Sequence, residues 1–114
     1  MIGCDKRFFM NDLQFLNKAL KILSKPLNGR KHSWGKRDYR NHKTGCMCVG
    51  GAGIMAEEGT IDTLEYPGAR RMARLLGFTN TTSMFQWNDD KSRRFSHVKN
   101  RIKTAISELK SSAK

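Results

Sequence analysis

The sequence predicts an all-α protein: a compact single domain of about four helices with a long basic loop after the first helix. Two observations favour helices. Apolar residues recur at three- and four-residue spacing in several segments, and residues typical of helix ends stand at the borders of those segments. A third observation is that strand-like composition is weak, since only one stretch suggests a short extended piece, FTNTTSMFQW.

The chain length sets the domain organisation. The 114 residues are enough for one domain with one core, and no internal repeat divides them. We expect residues 1–10 to form an N-terminal extension, residues 11–110 to form the helical domain and residues 111–114 to form a C-terminal tail.

The first predicted helix is DLQFLNKALKILSK. Asn11 and Gln14 have the spacing of a capping box at its start, and Pro26 ends it. Its buried stripe is predicted from the spacing of four leucines: Leu13, Leu16, Leu20 and Leu23.

The second predicted helix, GCMCVGGAGIMAEEG, is weakened by its glycines, each by about 1 kcal/mol against Ala. Only tertiary packing can hold such a helix, and its small residues would let a neighbouring backbone approach closely. The third predicted helix is EYPGARRMARLLG, with Pro67 suited to its first turn and Gly77 to its end. The second helix is therefore the one expected to depend on its neighbours.

The fourth predicted helix follows WNDDKS and has the clearest apolar stripe, which runs from Phe95 to Leu109. Acidic or hydroxyl side chains at a helix start satisfy free backbone N–H groups and favour the helix dipole. The expected cap is one of three residues: Asp89, Asp90 or Ser92.

The basic residues are numerous and unevenly distributed. Lys and Arg number 22 against 10 Asp and Glu, which gives a formal net charge of +12. No Lys or Arg occurs between Thr44 and Ala69, so the cations are concentrated in the long loop over residues 27–43 and in the later helices. A segregated excess can build a surface patch, and it favours a polyanionic partner.

Arg side chains grip phosphate oxygens in pairs, and aromatic rings set among cations can stack on bases. Long loops in small domains are commonly functional, which adds weight to the loop over residues 27–43. The predicted nucleic-acid contacts are Arg30, Lys31, Trp34, Lys36, Arg37, Tyr39, Arg40, Lys43, Arg70, Arg71, Arg74, Lys99 and Lys103.

The order of short motifs along the chain, SWGKRD, CMCVGGA, LLGF and then Trp87-Asn88-Asp89, resembles a domain-of-unknown-function family of small bacterial and phage proteins. The resemblance extends over about residues 11–109. It implies a compact, mainly helical domain and no particular activity, and this chain is much more basic than the family pattern. The family residues carried over are Trp34, Cys48, Gly51, Ala52, Leu76, Gly77, Trp87, Asn88 and Asp89.

The Cys and His residues could serve two kinds of chemistry, metal binding or catalysis. A structural zinc site needs four ligands, usually in two close pairs, and C-x-C is a poor chelating pair. A lowered-pKa thiolate at Cys46 beside His42 would suit catalysis, yet none of the common catalytic motifs accompanies it. We therefore predict no metal, no cofactor and no enzymatic activity. The four residues that could still hold a metal are His32, His42, Cys46 and Cys48.

The triplet Trp87-Asn88-Asp89 has a structural interpretation that we prefer to a recognition or catalytic one. We expect Trp87 to anchor the core. We expect Asn88 and Asp89 to satisfy free backbone N–H groups at the start of the following helix.

The sequence as a whole favours a small basic binding protein, not an enzyme, that contacts the backbone of DNA or RNA through an Arg and Lys surface. Its expected role is that of a phage-type or accessory protein. The alternative is a modulator or inhibitor that binds an acidic surface of a host protein. The start of the chain lacks a signal-like apolar run, and no apolar run approaches the roughly 20 residues that span a bilayer. We expect no membrane partner, free thiols and a cytoplasmic location, in the host cell if a phage encodes the protein.

Overall fold

The computed structural model of the protein describes residues 10–27, 29–37, 41, 44–58 and 67–112. Within them lie five helices and no strand, so the all-α prediction is confirmed there, with one helix more than expected. The helices share one core and form a single globule. They are α1 (Asp12–Ser24), α2 (Val49–Glu58), α3 (Pro67–Leu75), α4 (Thr81–Asp89) and α5 (Phe95–Ser112).

Helix α1 begins with the predicted capping box. The Asn11 side chain accepts the Gln14 backbone N–H at 2.8 Å, and the Gln14 side chain accepts the Asn11 backbone N–H at 3.0 Å. Two of the four predicted leucines, Leu16 and Leu23, are fully buried, while Leu13 and Leu20 lie at the edge of the core. The helix packs against α2 and α5.

Helix α2 occupies the centre of the fold, with α1, α3 and α4 around it. It crosses α3 where Gly53 meets Gly68. A Cβ atom added to Gly53 would lie 2.5 Å from the Gly68 carbonyl oxygen, so the two backbones are in direct contact. The expected close approach of a neighbouring backbone to this glycine-rich helix is confirmed.

Helix α4 was not predicted, because its β-branched threonines gave the segment the composition of a strand. Asn80 caps the helix by accepting the Ser83 backbone N–H at 2.8 Å. Met84 is fully buried, and Phe85 packs against Gly50 of α2. The cap and this packing outweigh the local preference of the threonines, so the extended interpretation of the segment was wrong.

Helix α5 begins later than the caps proposed for it. Asp90 instead accepts the Ser92 backbone N–H at 2.9 Å and the Ser92 hydroxyl at 2.6 Å, which shapes the turn between α4 and α5. The first turn of α5 is closed by His97, whose Nδ1 accepts the Arg94 backbone N–H at 3.0 Å. The helix extends to Ser112, two residues past the expected end of the helical domain at residue 110.

The basic loop between α1 and α2 is tied to the fold more closely than its composition suggests. The Ser33 backbone N–H donates to the Leu23 carbonyl at 2.8 Å, and its hydroxyl donates to the Lys25 carbonyl. The backbone then runs beside Met47, with Gly35 donating to the Met47 carbonyl at 2.9 Å. Ser33, Trp34 and Met47 are consequently buried.

Candidate functional site

Trp34 is buried in the structure, at 7% exposure, and not displayed on the loop. Its indole Nε1–H donates to the Asn88 side-chain oxygen at 2.7 Å. Stacking on a base requires an exposed ring face. The interpretation of Trp34 as a stacking residue is therefore corrected: its ring fills the core and its N–H holds the loop against α4.

Asn88 is the centre of a buried hydrogen-bond network. Besides Trp34, its side-chain oxygen accepts the Val49 backbone N–H at 3.0 Å, and its amide donates to the Gly35 carbonyl at 3.2 Å and to the Asp89 Oδ1 at 3.0 Å. Asn88 therefore satisfies the start of α2. The expectation that Asn88 serves the helix following it in sequence was wrong, because the fold brings a more distant helix start to this side chain.

Arg71 is used inside the molecule. Its guanidinium donates to Asp12 at 2.8 Å and to Glu57 at 3.0 Å, and it also donates to the Met10 carbonyl at 2.7 Å. The same group lies 4.7 Å from the centre of the Phe15 ring. With its side chain only 16% exposed, Arg71 ties α1, α2 and α3 together and is removed from the predicted phosphate contacts.

Arg70 and Arg74, which we call the α3 pair, are exposed on α3. The Arg74 side chain is 64% exposed, and its one described ion pair, with Asp12, is long at 3.6 Å. The α3 pair lines an open groove of about 420 Å³ that continues past Phe78 to Asn80 and Thr81 at the start of α4. Of the three arginines of α3 that were predicted to contact nucleic acid, the structure therefore presents two to solvent.

The loop between α1 and α2 lies beside the turn between α4 and α5. The His32 ring packs on the Phe95 ring with 4.6 Å between their centroids, which joins the loop to the start of α5. The pKa of Asp90 is lowered mainly by its Ser92 hydrogen bonds and to a smaller extent by the positive charges of Arg93, in the turn, and Lys36, in the loop. The fold therefore brings two basic stretches of the sequence together.

We call the cations of this region the loop–turn group. Lys91 and Arg94 were missed as site residues, although their basic run is visible in the sequence. The contact of His32 with Phe95 and the hydrogen bond from the Arg37 backbone to Asp89 show that the run adjoins the loop. The members, exposed except for the half-buried Lys36, are Arg30, Lys31, Lys36, Arg37, Lys91 and Arg94.

Two further arginines are structural. The Arg93 Nε donates to the Trp87 carbonyl at 2.8 Å, and its guanidinium lies 4.2 Å from the centre of that ring. Arg101 donates to the Leu76 carbonyl at 2.9 Å and lies 4.2 Å from the centre of the Phe78 ring. Trp87, expected as a core anchor, is half-buried between these groups at the edge of the core.

The remaining predicted contacts do not join either group through a described contact. Lys103 is exposed and Lys99 is half-buried on α5. Tyr39, Arg40 and Lys43 lie outside the described residues, as does the candidate metal ligand His42.

A cavity of about 280 Å³ opens beside the loop–turn group, lined by Arg37, Cys48, Phe85 and Asp89. The Arg37 backbone has a φ of 76°, a conformation uncommon outside glycine, and its N–H donates to the Asp89 Oδ1 at 2.8 Å. Burial raises the pKa of Cys48 to about 11, against the opposing effect of the Gly51 backbone N–H. The cavity thus combines a guanidinium, a carboxylate, an aromatic ring and a neutral thiol.

The other thiol, Cys46, is also buried and free, at 4% exposure, so it is poorly placed to attack a substrate in solution. Among the side chains that the structure describes, no group of three or more His, Cys, Asp or Glu is arranged to hold a metal ion. None of the helices in the described part of the chain has the length and apolar character needed to cross a membrane.

The model of a family of unknown function, DUF6197, matches residues 11–108. Nothing among the curated proteins and nothing among the solved structures matches the chain. Of the residues that carry the resemblance in sequence, Trp34, Cys48, Asn88 and Asp89 meet around the buried amide of Asn88 and the adjoining cavity.

Proposed function

The chain belongs to DUF6197, a family of unknown function, and from its surface we propose that it binds the phosphate backbone of a nucleic acid. The α3 pair and the loop–turn group form the contact. They lie at opposite ends of α4, whose nine residues span about 13 Å. The observation that carries the proposal is that exposed cations from three segments collect at the two ends of one short helix.

The charge balance near these cations supports an anionic partner. Asp12 and Glu57 are engaged mainly by Arg71. Asp89 accepts hydrogen bonds from the Arg37 backbone and from Asn88, and Asp90 accepts two from Ser92. An exposed ion pair as long as the 3.6 Å contact of Arg74 contributes little. Most of the cationic side chains in both groups therefore have no strong described carboxylate partner to displace.

Phosphate contacts of this kind release condensed counterions, so affinity should fall steeply with salt concentration. They position a protein on nucleic acid without reading sequence. The same surface also suits an acidic protein, which is the alternative partner. Only a direct comparison of nucleic acid with an acidic polypeptide separates the two.

The test is a salt titration of binding to duplex and single-stranded oligonucleotides, measured for the parent protein and for Arg70→Glu with Arg74→Glu. If both side chains contact phosphate, the variant should bind more weakly. Its plot of log affinity against log salt concentration should also be less steep, with a slope smaller in magnitude by about two. Lys91→Glu with Arg94→Glu should act in the same direction at the other end of α4.

The matched control is Lys18→Glu with Lys21→Glu, which makes the same change in net charge on the exposed side of α1. This control should change the slope much less than either test variant. Equal losses of affinity in the two test variants and in the control would mean that net charge alone attracts the nucleic acid. Absence of binding to every oligonucleotide at low ionic strength, together with binding to polyglutamate, would replace the proposal with the acidic-protein alternative.

A further inference from the structure

Helices α3 and α4 follow one another in the chain and are joined by residues 76–80 alone. We propose that they form a helix-turn-helix unit, in which α4 enters the major groove of duplex DNA while α3 holds the phosphate strand beside it. The inference rests on the proposed function and deepens it, because it names duplex DNA as the nucleic acid and adds contacts to the edges of the bases.

The connection between the two helices is a compact turn that contains a glycine. Gly77 has a φ of +86°, and its backbone N–H donates to the Arg74 carbonyl at 3.1 Å. The Phe78 N–H donates to the Ala73 carbonyl at 2.8 Å, which completes the Schellman motif at the end of α3. Asn80 then caps the start of α4. A short turn that contains a glycine is the connection typical of a helix-turn-helix.

The inner side of α4 is anchored in the fold. Met84 and Asn88 are fully buried, and the Asn88 side-chain oxygen accepts two buried N–H groups. The Trp87 ring lies 5.6 Å from the Phe78 ring of the turn, measured between the ring centroids. Helix α4 is therefore fixed in place relative to the end of α3, and a helix that reads DNA needs such a rigid support.

The outer side of α4 is polar. Thr82 and Gln86 are exposed and lie one helical turn apart, so they share one face. In the major groove a Gln amide pairs with the N6 and N7 atoms of adenine, and a Thr side chain contacts the thymine methyl group or a polar base edge. No acidic residue precedes Asp89 in the helix, and Asp89 and Asp90 already accept hydrogen bonds within the protein. The face that meets the bases is thus uncharged.

The size and the charge of this region match the major groove of B-DNA. That groove is about 12 Å wide, enough for one α-helix with its side chains. The α3 pair and the loop–turn group lie at the two ends of α4, about 13 Å apart along its nine residues, so each group faces one of the two phosphate strands that border the groove. The α3 pair also lines the open groove of about 420 Å³ beside the start of α4, which offers the nearer strand a recess.

Other nucleic acids fit this arrangement poorly. The major groove of double-stranded RNA is deep and narrow, and side chains cannot read it. A single strand has no groove for a helix. The inference therefore predicts that duplex DNA binds more tightly than duplex RNA or a single strand of the same sequence, an order of affinity that depends on α4 and not on charge alone.

The experiment begins by selecting the tightest binders from DNA duplexes whose central segment is randomised. We expect a short common sequence that binds at least about tenfold more tightly than its scrambled version, the scale of one good base contact. The RNA duplex of the same sequence should lose this advantage.

The double variant Thr82→Ala with Gln86→Ala tests the outer face of α4. It should bind the selected duplex about tenfold more weakly, so that the preference over the scrambled duplex disappears. The matched control is Asn100→Ala with Thr104→Ala, which removes an exposed amide and an exposed hydroxyl one turn apart on α5 and should keep the full preference. A Thr82 and Gln86 variant with the preference of the parent would mean that α4 does not read the bases.

A modified duplex tests the groove directly. Replacing the purines of the selected duplex with 7-deazapurines removes the N7 acceptors from the major groove and leaves the base pairs and the phosphates in place. We expect the parent protein to bind this duplex about tenfold more weakly than the unmodified one. Equal binding of the two duplexes would place α4 outside the major groove and overturn the inference.

The backbone proposal fails or survives on different results. A selection that enriches no sequence, equal affinity for the DNA and RNA duplexes, or binding confined to single strands would overturn the helix-turn-helix inference and leave backbone binding standing. Arg70→Glu with Arg74→Glu should weaken binding to the selected and the scrambled duplex alike, because phosphate contacts are the same in both. Absence of binding to duplex and single-stranded nucleic acid at low ionic strength would overturn both proposals.

Discussion

Asn88 joins three separate segments of the fold: the loop between α1 and α2, the start of α2, and its own helix α4. Its side chain is fully buried and satisfies the Trp34 indole N–H and the Val49 backbone N–H while donating to the Gly35 carbonyl. It thereby fixes the loop and the start of α2 against α4. A buried polar group of this kind is stabilising only while all its partners are present.

Replacing Asn88 with Ala should leave two buried N–H donors without an acceptor. Each costs about 1–3 kcal/mol, so we expect the free energy of unfolding to fall by about 3 kcal/mol or more. Denaturant unfolding measures this directly. The control is Asn17→Ala, on the exposed side of α1, which should cost less than about 1 kcal/mol. An Asn88→Ala protein as stable as the control would mean that the network contributes nothing to the fold.

The arginines show why single residues were the hardest feature to predict from the sequence. Helical spacing places Arg70, Arg71 and Arg74 on one arc, and the spacing is correct. It cannot show that Asp12 and Glu57, from two other helices, come within 3 Å of Arg71 alone. The burial of Trp34 was invisible for the same reason, since its acceptor lies 54 residues away in sequence.

At the scale of elements, the crossing of α2 and α3 determines how the core is built. Gly53 and Gly68 allow the two backbones to touch, and Ala52, Ile54, Ala69 and Met72 are fully buried around them. A glycine-rich helix has a poor propensity of its own. The contact between backbones therefore compensates for the low helix propensity of the α2 sequence.

Gly68→Ala tests this crossing. In a helix with free space, Gly to Ala is stabilising by about 1 kcal/mol, whereas here the added Cβ would meet the Gly53 carbonyl and force the helices apart. We expect a net loss of about 2–3 kcal/mol in the free energy of unfolding.

Gly77→Ala provides the comparison, because Gly77 has a φ of +86° but its nearest neighbour would lie 3.9 Å away. That variant should cost only about 1 kcal/mol, from backbone strain alone. If Gly68→Ala is stabilising, the helices do not cross as closely as the structure indicates.

The helices that could be predicted are those whose signals lie within a short stretch of the sequence. The capping box of α1 and the stripe of α5 are encoded locally, so both were found. Helix α4 was missed because its threonines favour a strand, while its stability comes from the Asn80 cap and the contact of Phe85 with Gly50.

At the scale of the whole molecule, the net charge of +12 is large for 114 residues. The best-formed ion pairs described, those of Arg71, are partly buried and use two carboxylates for one arginine. Both exposed groups of cations are thus left to repel one another across α4. Self-repulsion of this kind destabilises the compact state in the absence of a counter-charge.

The folded protein should therefore become more stable as sodium chloride is added. The screening length is about 30 Å at 0.01 M salt and about 10 Å at 0.1 M, so the repulsion across α4 is weakened over this range. We expect the melting temperature, measured by circular dichroism, to rise by several degrees, which corresponds to a gain of about 1 kcal/mol in the free energy of unfolding.

Arg70→Glu with Arg74→Glu should melt at a higher temperature than the parent at 0.01 M salt, and its melting temperature should respond less to added salt. A melting temperature that falls with salt would show that favourable pairs such as that of Arg71 and Asp12 outweigh the repulsion. The charge would then be balanced within the fold, and the argument for a polyanionic partner would lose its energetic basis.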